Sequence, residues 1–248
     1  MRLVINLAPV DPRLGLAIDE ALLESVRAGG RDAARLWVTR PAVIVGRSQA
    51  VEDEVDAGFA AERGIPVLRR TSGGGAVYHY PGNLNVSIVL RDGRRIGPVR
   101  DAFRLFGATV AAALSGICPR ISSEENDLLI DDAKVGGAAQ ARRGDALLYH
   151  TTLLVEPVDV PMDRILRAMR PGYRPTRVAS RPRPTISLTE AVGREVLMRE
   201  ASETLGPAIS GALGRPLVAS ADFDPAELGR AQRLAAGKYD DPGWNRSR

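Results

Sequence analysis

Two stretches of the chain concentrate residues that handle anions. The first runs Arg69-Arg70-Thr71-Ser72-Gly73-Gly74-Gly75-Ala76-Val77-Tyr78-His79-Tyr80 and continues into Pro81-Gly82-Asn83. Three consecutive glycines remove every β-carbon from the turn, so backbone N–H groups can approach an anion closely while two arginines supply charge. The segment is built like a phosphate or carboxylate cradle. It is not a Walker loop, because no Gly-Lys-Ser/Thr follows and the next residues read as a strand, and it is not a dinucleotide G-x-G-x-x-G. The plainer alternative is a glycine-rich hairpin turn with surface arginines.

The second stretch is Asn126-Asp127-Leu128-Leu129-Ile130-Asp131-Asp132-Ala133-Lys134-Val135-Gly136-Gly137-Ala138-Ala139-Gln140. Lys134 is one of only two lysines in a chain with 32 arginines, the other being Lys238. Where this sequence wants generic positive charge it supplies arginine, so each lysine is a candidate for work that a guanidinium cannot do. A compact ammonium beside a close-approaching Gly-Gly backbone suits a phosphate or acyl-phosphate oxygen. A solvated lysine beyond a turn at Asp131-Asp132 is the competing reading.

The remaining reactive side chains are few. His79 and His150 are distant in sequence, and no Cys or His lies at metal-ligand spacing, which argues against a histidine-rich zinc site. A serine triad built on Ser72 lacks the Gly-x-Ser-x-Gly elbow. Cys118 reads as a buried small hydrophobe, and a single cysteine rules out a disulfide scaffold and suits the cytoplasm.

These segments need a framework, and 248 residues with 44% hydrophobic and 26% charged residues suffice for one domain with a full core. No apolar run approaches the roughly 20 residues of a membrane span, and the N-terminus lacks a signal-peptide pattern. The net charge of +4 is spread along the chain and aromatics make up 4%, so acidic ligands are favoured and a dedicated nucleic-acid module is not expected.

Helix signals open at Asp11-Pro12, with Leu14, Ile18, Ala21, Leu22 and Val26 on one face and Gly29-Gly30 as the stop. Arg35–Thr39 and Ala42–Gly46 read as a hairpin about Arg40-Pro41. Residues 53–63 read as helix, 66–69 and 84–90 as strands, and 99–114 as a longer amphipathic helix. Residues 127–130, 134–140 and 146–155 read as three further strands, followed by a short helix near 161–169. A basic, proline-rich loop over 171–184 and helices over 188–213 and 224–236 complete the pattern, which is that of a single α+β domain with mixed strands and helices.

Taken together, the motifs resemble the lipoate-protein ligase A branch of the biotin/lipoate protein ligases. The signature Arg-Arg-x-Ser-Gly-Gly-Gly-Ala-Val-x-His is matched by Arg69 to His79. Further matches are Asn126-Asp127, Lys134 to Ala138, and His150 to Leu154. Order and spacing agree, and the likeness extends to Lys238-Tyr239 and Trp244-Asn245. The resemblance implies a central mixed β-sheet flanked by helices, related to class II aminoacyl-tRNA synthetases and biotin ligases. It also implies a two-step reaction in which lipoate attacks the α-phosphate of Mg-ATP to form lipoyl-AMP, and an acceptor lysine then takes the acyl group.

Carried over position by position, the resemblance makes Lys134 the catalytic cation between the acyl carbonyl and the phosphate. Arg70, the Gly75-Ala76-Val77-Tyr78 backbone and Asp127 would hold the nucleotide. Ser72, Gly73, Gly74, His79, Asn83, Gly137, Ala138 and His150 would line the lipoyl pocket, and the loop from Arg174 to Arg183 would cover the adenylate. The cofactors implied are ATP and Mg2+. The implied partner is a lipoyl-domain acceptor: a 2-oxoacid dehydrogenase, the glycine-cleavage H protein or another lipoate carrier.

Two departures stand out. Tyr80 replaces the aspartate usual after the motif histidine, and the chain stops before the C-terminal accessory domain of long ligases, so a separate accessory subunit is an expectation. Octanoyl or lipoyl transfer between carrier proteins is the nearest competing function. It needs a cysteine after the motif lysine, whereas Cys118 precedes Lys134. A non-catalytic lipoate-binding protein is the other alternative, and the retention of Lys134 argues against it.

Overall fold

The computed structural model describes residues 1–91, 93–219 and 223–247. Its framework is a mixed sheet of eight strands in the order β11-β1-β2-β6-β10-β9-β8-β7. These are β1 (Arg2–Val10), β2 (Ala33–Thr39), β6 (Asn83–Leu90), β7 (Ile121–Glu124), β8 (Asp127–Ile130), β9 (Ala133–Arg143), β10 (Ala146–Leu154) and β11 (Val218–Ala219). A smaller sheet places β3 (Ala42–Val45) between β4 (Val67–Arg69) and β5 (Val77–His79).

Strand alternation sends side chains to opposite faces, and the large sheet buries both. On one face, Ala33, Val89 and Leu148 pack with α1 (Pro12–Arg27). On the other, Leu36, Val86, Ile88 and Leu147 pack with residues of α2 (Val99–Leu114) and α3 (Met198–Leu213). A further helix, α4 (Pro225–Leu234), lies against α1. The start of α1 is set as its sequence suggests: Asp11 accepts a hydrogen bond from Arg13 N at 2.8 Å, with Pro12 in the first turn.

The expected hairpin of residues 35–46 does not form. β2 pairs with β1 and β6 in the large sheet, whereas β3 starts the small one. Arg40-Pro41 supplies neither glycine nor asparagine for the positive φ that a two-residue hairpin loop demands, and it carries the chain from one sheet to the other. Both strands are buried along their whole length, so each needs neighbours on both sides.

Other differences are local. The N-terminal segment is strand β1, and β7 is an additional edge strand. The helix expected over 188–213 breaks into Leu188–Val192 and α3, because Gly193 adopts φ +69° and ends the first turn. Between β8 and β9 the register shifts. Leu128 faces Gly136 while Leu129 faces Lys134, leaving Val135 as the extra residue of a β-bulge. Bulges re-aim neighbouring side chains, and this one sits beside the lysine singled out by composition.

Candidate active site

A cavity of about 460 Å3 opens between the two sheets. It is lined by the glycine run Gly73-Gly74-Gly75 with Ala76 and Val77, by His79 and His150, and by Asp127, Lys134, Gly137 and Ala138 on β8 and β9. A second cavity of about 70 Å3 adjoins it, with Leu154, Met162, Leu166 and Met169 as its apolar wall. Lys134 lines both, as do Ala76, Val77 and Ser180.

The ammonium of Lys134 lies 2.6 Å from Asp127 Oδ1, and Arg183 Nε lies 3.5 Å from the other oxygen of the same carboxylate. Gly137 makes room for this: a Cβ there would stand 2.9 Å from both Cε and Nζ of Lys134. Gly136 is needed by the sheet itself, since a Cβ would sit 2.1 Å from the Thr152 carbonyl oxygen.

Arg70 forms the hub of the glycine loop. Its guanidinium donates to the carbonyls of Gly73, Gly75 and Ile44, at 2.5, 2.8 and 3.1 Å, and to Ser72 Oγ. Burial pushes its pKa down to about 10, because a charge taken out of water is disfavoured. Gly46 lets the loop close: a Cβ would lie 2.0 Å from the Gly74 carbonyl oxygen, and Gly74 itself takes φ +85°. Arg70 therefore braces the cradle and brings a buried cation to its floor.

Beneath the floor, Ser72 Oγ lies 2.7 Å from His150 Nε2, and His150 Nδ1 lies 3.4 Å from Asp19 Oδ2. Asp19 is held in turn by Arg35 at 3.0 Å and by the Ser87 hydroxyl at 2.7 Å. Burial raises its pKa, but the hydrogen bond from His150 and the charge of Arg35 outweigh this and leave it below the usual carboxylate range. The order of groups is that of a serine triad. Ser72, however, is fully buried and does not line the cavity, so its hydroxyl orients His150 from below.

Two expectations need correction on this geometry. Ser72 and Asn83 do not line the pocket. Asn83 is sealed at the start of β6 and donates to Asn85 Oδ1 at 3.1 Å; Asn85, one strand period further, is the residue that reaches the cavity. Tyr78 borders only the small cavity, its ring stacked on Tyr80 with centroids 5.6 Å apart. Tyr80 faces away from both cavities and donates to the Glu156 carbonyl.

Residues far from the motifs complete the site. The loop around 174–183 crosses the junction of the cavities, and Ser180 fixes it there. Ser180 Oγ accepts from Ala76 N at 2.9 Å and from Gln49 Nε2 at 3.1 Å, and donates to the buried Glu54 carboxylate at 2.6 Å. Tyr173 donates to the other oxygen of Glu54. The short sequence 171–184 advertised its charge and prolines but not this anchor. Cys118 is buried in the core and lines neither cavity. Among the described residues no helix is long and apolar enough to cross a membrane.

The lipoyl protein ligase A/B catalytic domain family matches residues 11–210. An Aeropyrum pernix protein provisionally named lipoate-protein ligase A is 36% identical, over 94% of this chain and 88% of its own length. Lipoate-protein ligase A subunit 1 of Thermoplasma acidophilum is 30% identical over 82% and 84%, and an octanoyltransferase of Symbiobacterium thermophilum is 28% identical over 83% and 82%.

Solved structures agree with this. A T. acidophilum protein provisionally named lipoate protein ligase, with bound lipoic acid, superposes with TM-score 0.83 at 26% identity over 100% and 99% of the two chains. A bipartite archaeal ligase studied with its E2 lipoyl domain, also from T. acidophilum, gives 0.82 at 27% over 99% and 96%. A lipoate-protein ligase A bound with ATP gives 0.78 at 27% over 99% and 98%.

Fold and site are those of an enzyme that joins an acyl group to an amine. The chain belongs to the lipoyl protein ligase A/B catalytic domain family.

Proposed function

We propose that this protein is an ATP-dependent lipoate-protein ligase and that residues 1–248 act as one catalytic unit. In the first step the lipoate carboxylate attacks the α-phosphate of ATP, forming lipoyl-AMP and releasing pyrophosphate. In the second a lysine amine of an acceptor lipoyl domain attacks the acyl carbonyl, forming the amide and releasing AMP. The observation that carries this reading is the position of Lys134, which lines both cavities.

The larger cavity suits the acyl chain and the smaller, with its methionine and leucine wall, suits the adenine. The mixed anhydride then falls at their junction, where Lys134 can neutralise charge developing on the acyl and phosphate oxygens in both steps. Gly75, Ala76 and Val77 present backbone to the phosphates, with Arg70 supplying positive field from below. The Asp127 carboxylate holds the ammonium until substrate arrives. Its second oxygen, 3.5 Å from Arg183 Nε, would offer one ligand to a magnesium ion delivered on the triphosphate, a cation that needs only one or two protein carboxylates.

The ATP-bound and lipoate-bound relatives support both substrates. The bipartite relative supports a lipoyl-domain acceptor, with the H protein and other lipoate carriers as alternatives, and an accessory subunit. The buried lone cysteine supports a cytoplasmic setting. Transfer through a cysteine thioester is the weaker reading, since Cys118, the one cysteine in the sequence, lies in the core.

The test is mass spectrometry of the protein incubated with Mg-ATP, lipoate and a lipoyl domain, beside Lys134→Arg. Lipoyl-AMP and modified acceptor from the wild type, with neither from the variant, is the expected result. A wild-type protein that forms neither species, even with an accessory subunit supplied, overturns the reading.

A further inference from the structure

The two histidines of the larger cavity are in different circumstances. His150 is tied on both ring nitrogens, to Ser72 and Asp19. The ring of His79 makes no hydrogen bond among the described residues. Its Nδ1 is sealed and unpartnered, while its Nε2 is not sealed and the residue lines the cavity, so that nitrogen opens on the acyl space. The ring stands edge-on to Trp37, centroids 6.1 Å apart at 77°.

Burial, with the charge of Arg70 nearby, pushes the pKa of His79 down to about 3, so the imidazole is neutral and carries one proton. On Nδ1 that proton would be a buried donor with no acceptor. On Nε2 it points into the cavity, where a ligand atom can take it, and leaving a buried donor unmade is the more costly arrangement. His79 thus presents an N–H donor to a cavity that Leu16, Trp37, Ile44 and Val77 also line.

This donor lies at the end of the cavity away from the reacting centre. The ammonium of Lys134 is drawn to the level of Gly137. Trp37, against whose ring His79 stands, is on β2, and β6 and β10 separate it from β9, which carries Lys134; three strand spacings are about 14 Å, and neither His79 nor Trp37 lines the second cavity. The carboxyl of a bound acid is held near Lys134 and its tail therefore reaches the histidine end.

We propose that the Nε2–H of His79 reads the tail of the acid, favouring one that offers a divalent sulfur over a hydrocarbon tail of the same shape. The inference rests on the ligase reading above and adds to it the residue that sets acid preference. A divalent sulfur is a weak acceptor, so the gain is modest. A hydrocarbon tail displaces water from the donor and returns nothing.

The test is calorimetric binding of lipoate, 5-cyclopentylpentanoate and octanoate to the full chain, wild type and His79→Phe, with His79→Gln as a variant that retains a side-chain N–H. 5-Cyclopentylpentanoate keeps the ring of lipoate without its sulfurs. Wild type should bind lipoate about fivefold more tightly than 5-cyclopentylpentanoate. His79→Phe should bind the two equally through loss of lipoate affinity alone, and His79→Gln should keep part of the preference. Equal binding of the two ring acids by wild type overturns the proposal without any variant. Parallel loss of both in His79→Phe, or an unchanged preference, also overturns it. A wild-type protein that binds none of the acids removes the ligase reading, and this one with it.

Discussion

The Lys134 ammonium and the Asp127 carboxylate meet at 2.6 Å across a β-bulge, and Lys134 is among the residues that line both cavities. Without substrate, the pair keeps a partly buried cation neutralised. A polyanion entering the site competes with Asp127 for the same ammonium. Lys134→Arg keeps the charge but replaces a compact ammonium with a planar fork that Gly137 does not accommodate in the same place. Adenylate formation should fall by about 100-fold or more, with an unchanged melting temperature. Gly137→Ala should act on the same step, by crowding Nζ, and a stopped assay for lipoyl-AMP measures both.

Gly46 and Gly74 approach so closely that an added β-carbon would overlap a backbone oxygen. Neither partner is a flexible side-chain end, so Gly46→Ala must move the glycine loop or β3. We expect a loss of about 2–3 kcal/mol in urea unfolding, together with weaker ATP binding. Gly73→Ala, where a Cβ meets nothing within 4 Å, is the control and should leave stability near wild type.

Much of this cavity's lining is legible in the sequence, for reasons particular to each residue. Lys134 stood out because the chain otherwise writes arginine, and the glycine run because only backbone can fill such a turn. The strand partners were less legible. β3 is wholly apolar and β2 is apolar but for Arg35 and Thr39, a pattern that says they are buried but not which sheet buries them. Nor could sequence assign donors to acceptors: Arg70 reads as an anion-binding arginine, and most of its hydrogen bonds go to carbonyls of its own loop. Asn83 against Asn85 is a matter of one strand period. Ser180 reaches Ala76 across 104 residues, a distance over which no local pattern operates.

Ser180 holds the loop by three hydrogen bonds, one of them to the buried Glu54. Ser180→Ala removes all three and frees the Ala76 N–H beside the proposed phosphate path. The loop should then become sensitive to limited proteolysis at its arginines. The KM for ATP should rise roughly tenfold if the loop covers the adenylate, the equivalent of one or two hydrogen bonds. An unchanged proteolysis pattern would show that the remaining contacts, such as Thr176 to Asp53 at 2.7 Å, suffice.

Lys238, the second lysine, has a different task. Its ammonium lies 2.8 Å from both oxygens of Glu20 and 4.0 Å from the centre of the Trp244 ring, while Trp244 Nε1 donates to the Arg69 carbonyl at 2.9 Å. It pins the C-terminal segment to α1 and to the strand that leads into the glycine loop. Lys238→Ala leaves Glu20 short of a cation and should cost about 2 kcal/mol in thermal or urea unfolding. The turnover number of the folded fraction should stay near wild type, in contrast to Lys134→Arg.

His79 also predicts how stability responds to acid. Its pKa is about 3 in the folded protein, lowered by burial from an ordinary 6.5, so the unfolded chain binds a proton that the native protein refuses. The stabilisation from keeping this ring neutral is complete above pH 6.5 and declines steadily as the pH falls toward 3. Asp19, whose folded pKa lies below its ordinary value, adds a loss in the same direction below about pH 4. Between pH 6.5 and 4.5, where carboxylates contribute little, the urea-unfolding free energy should fall with a slope approaching one proton. In His79→Phe, with no titrating ring at that position, the slope over this window should flatten. A wild-type slope retained in the variant would mean that His79 is protonated in the folded protein and that the acid response comes from elsewhere.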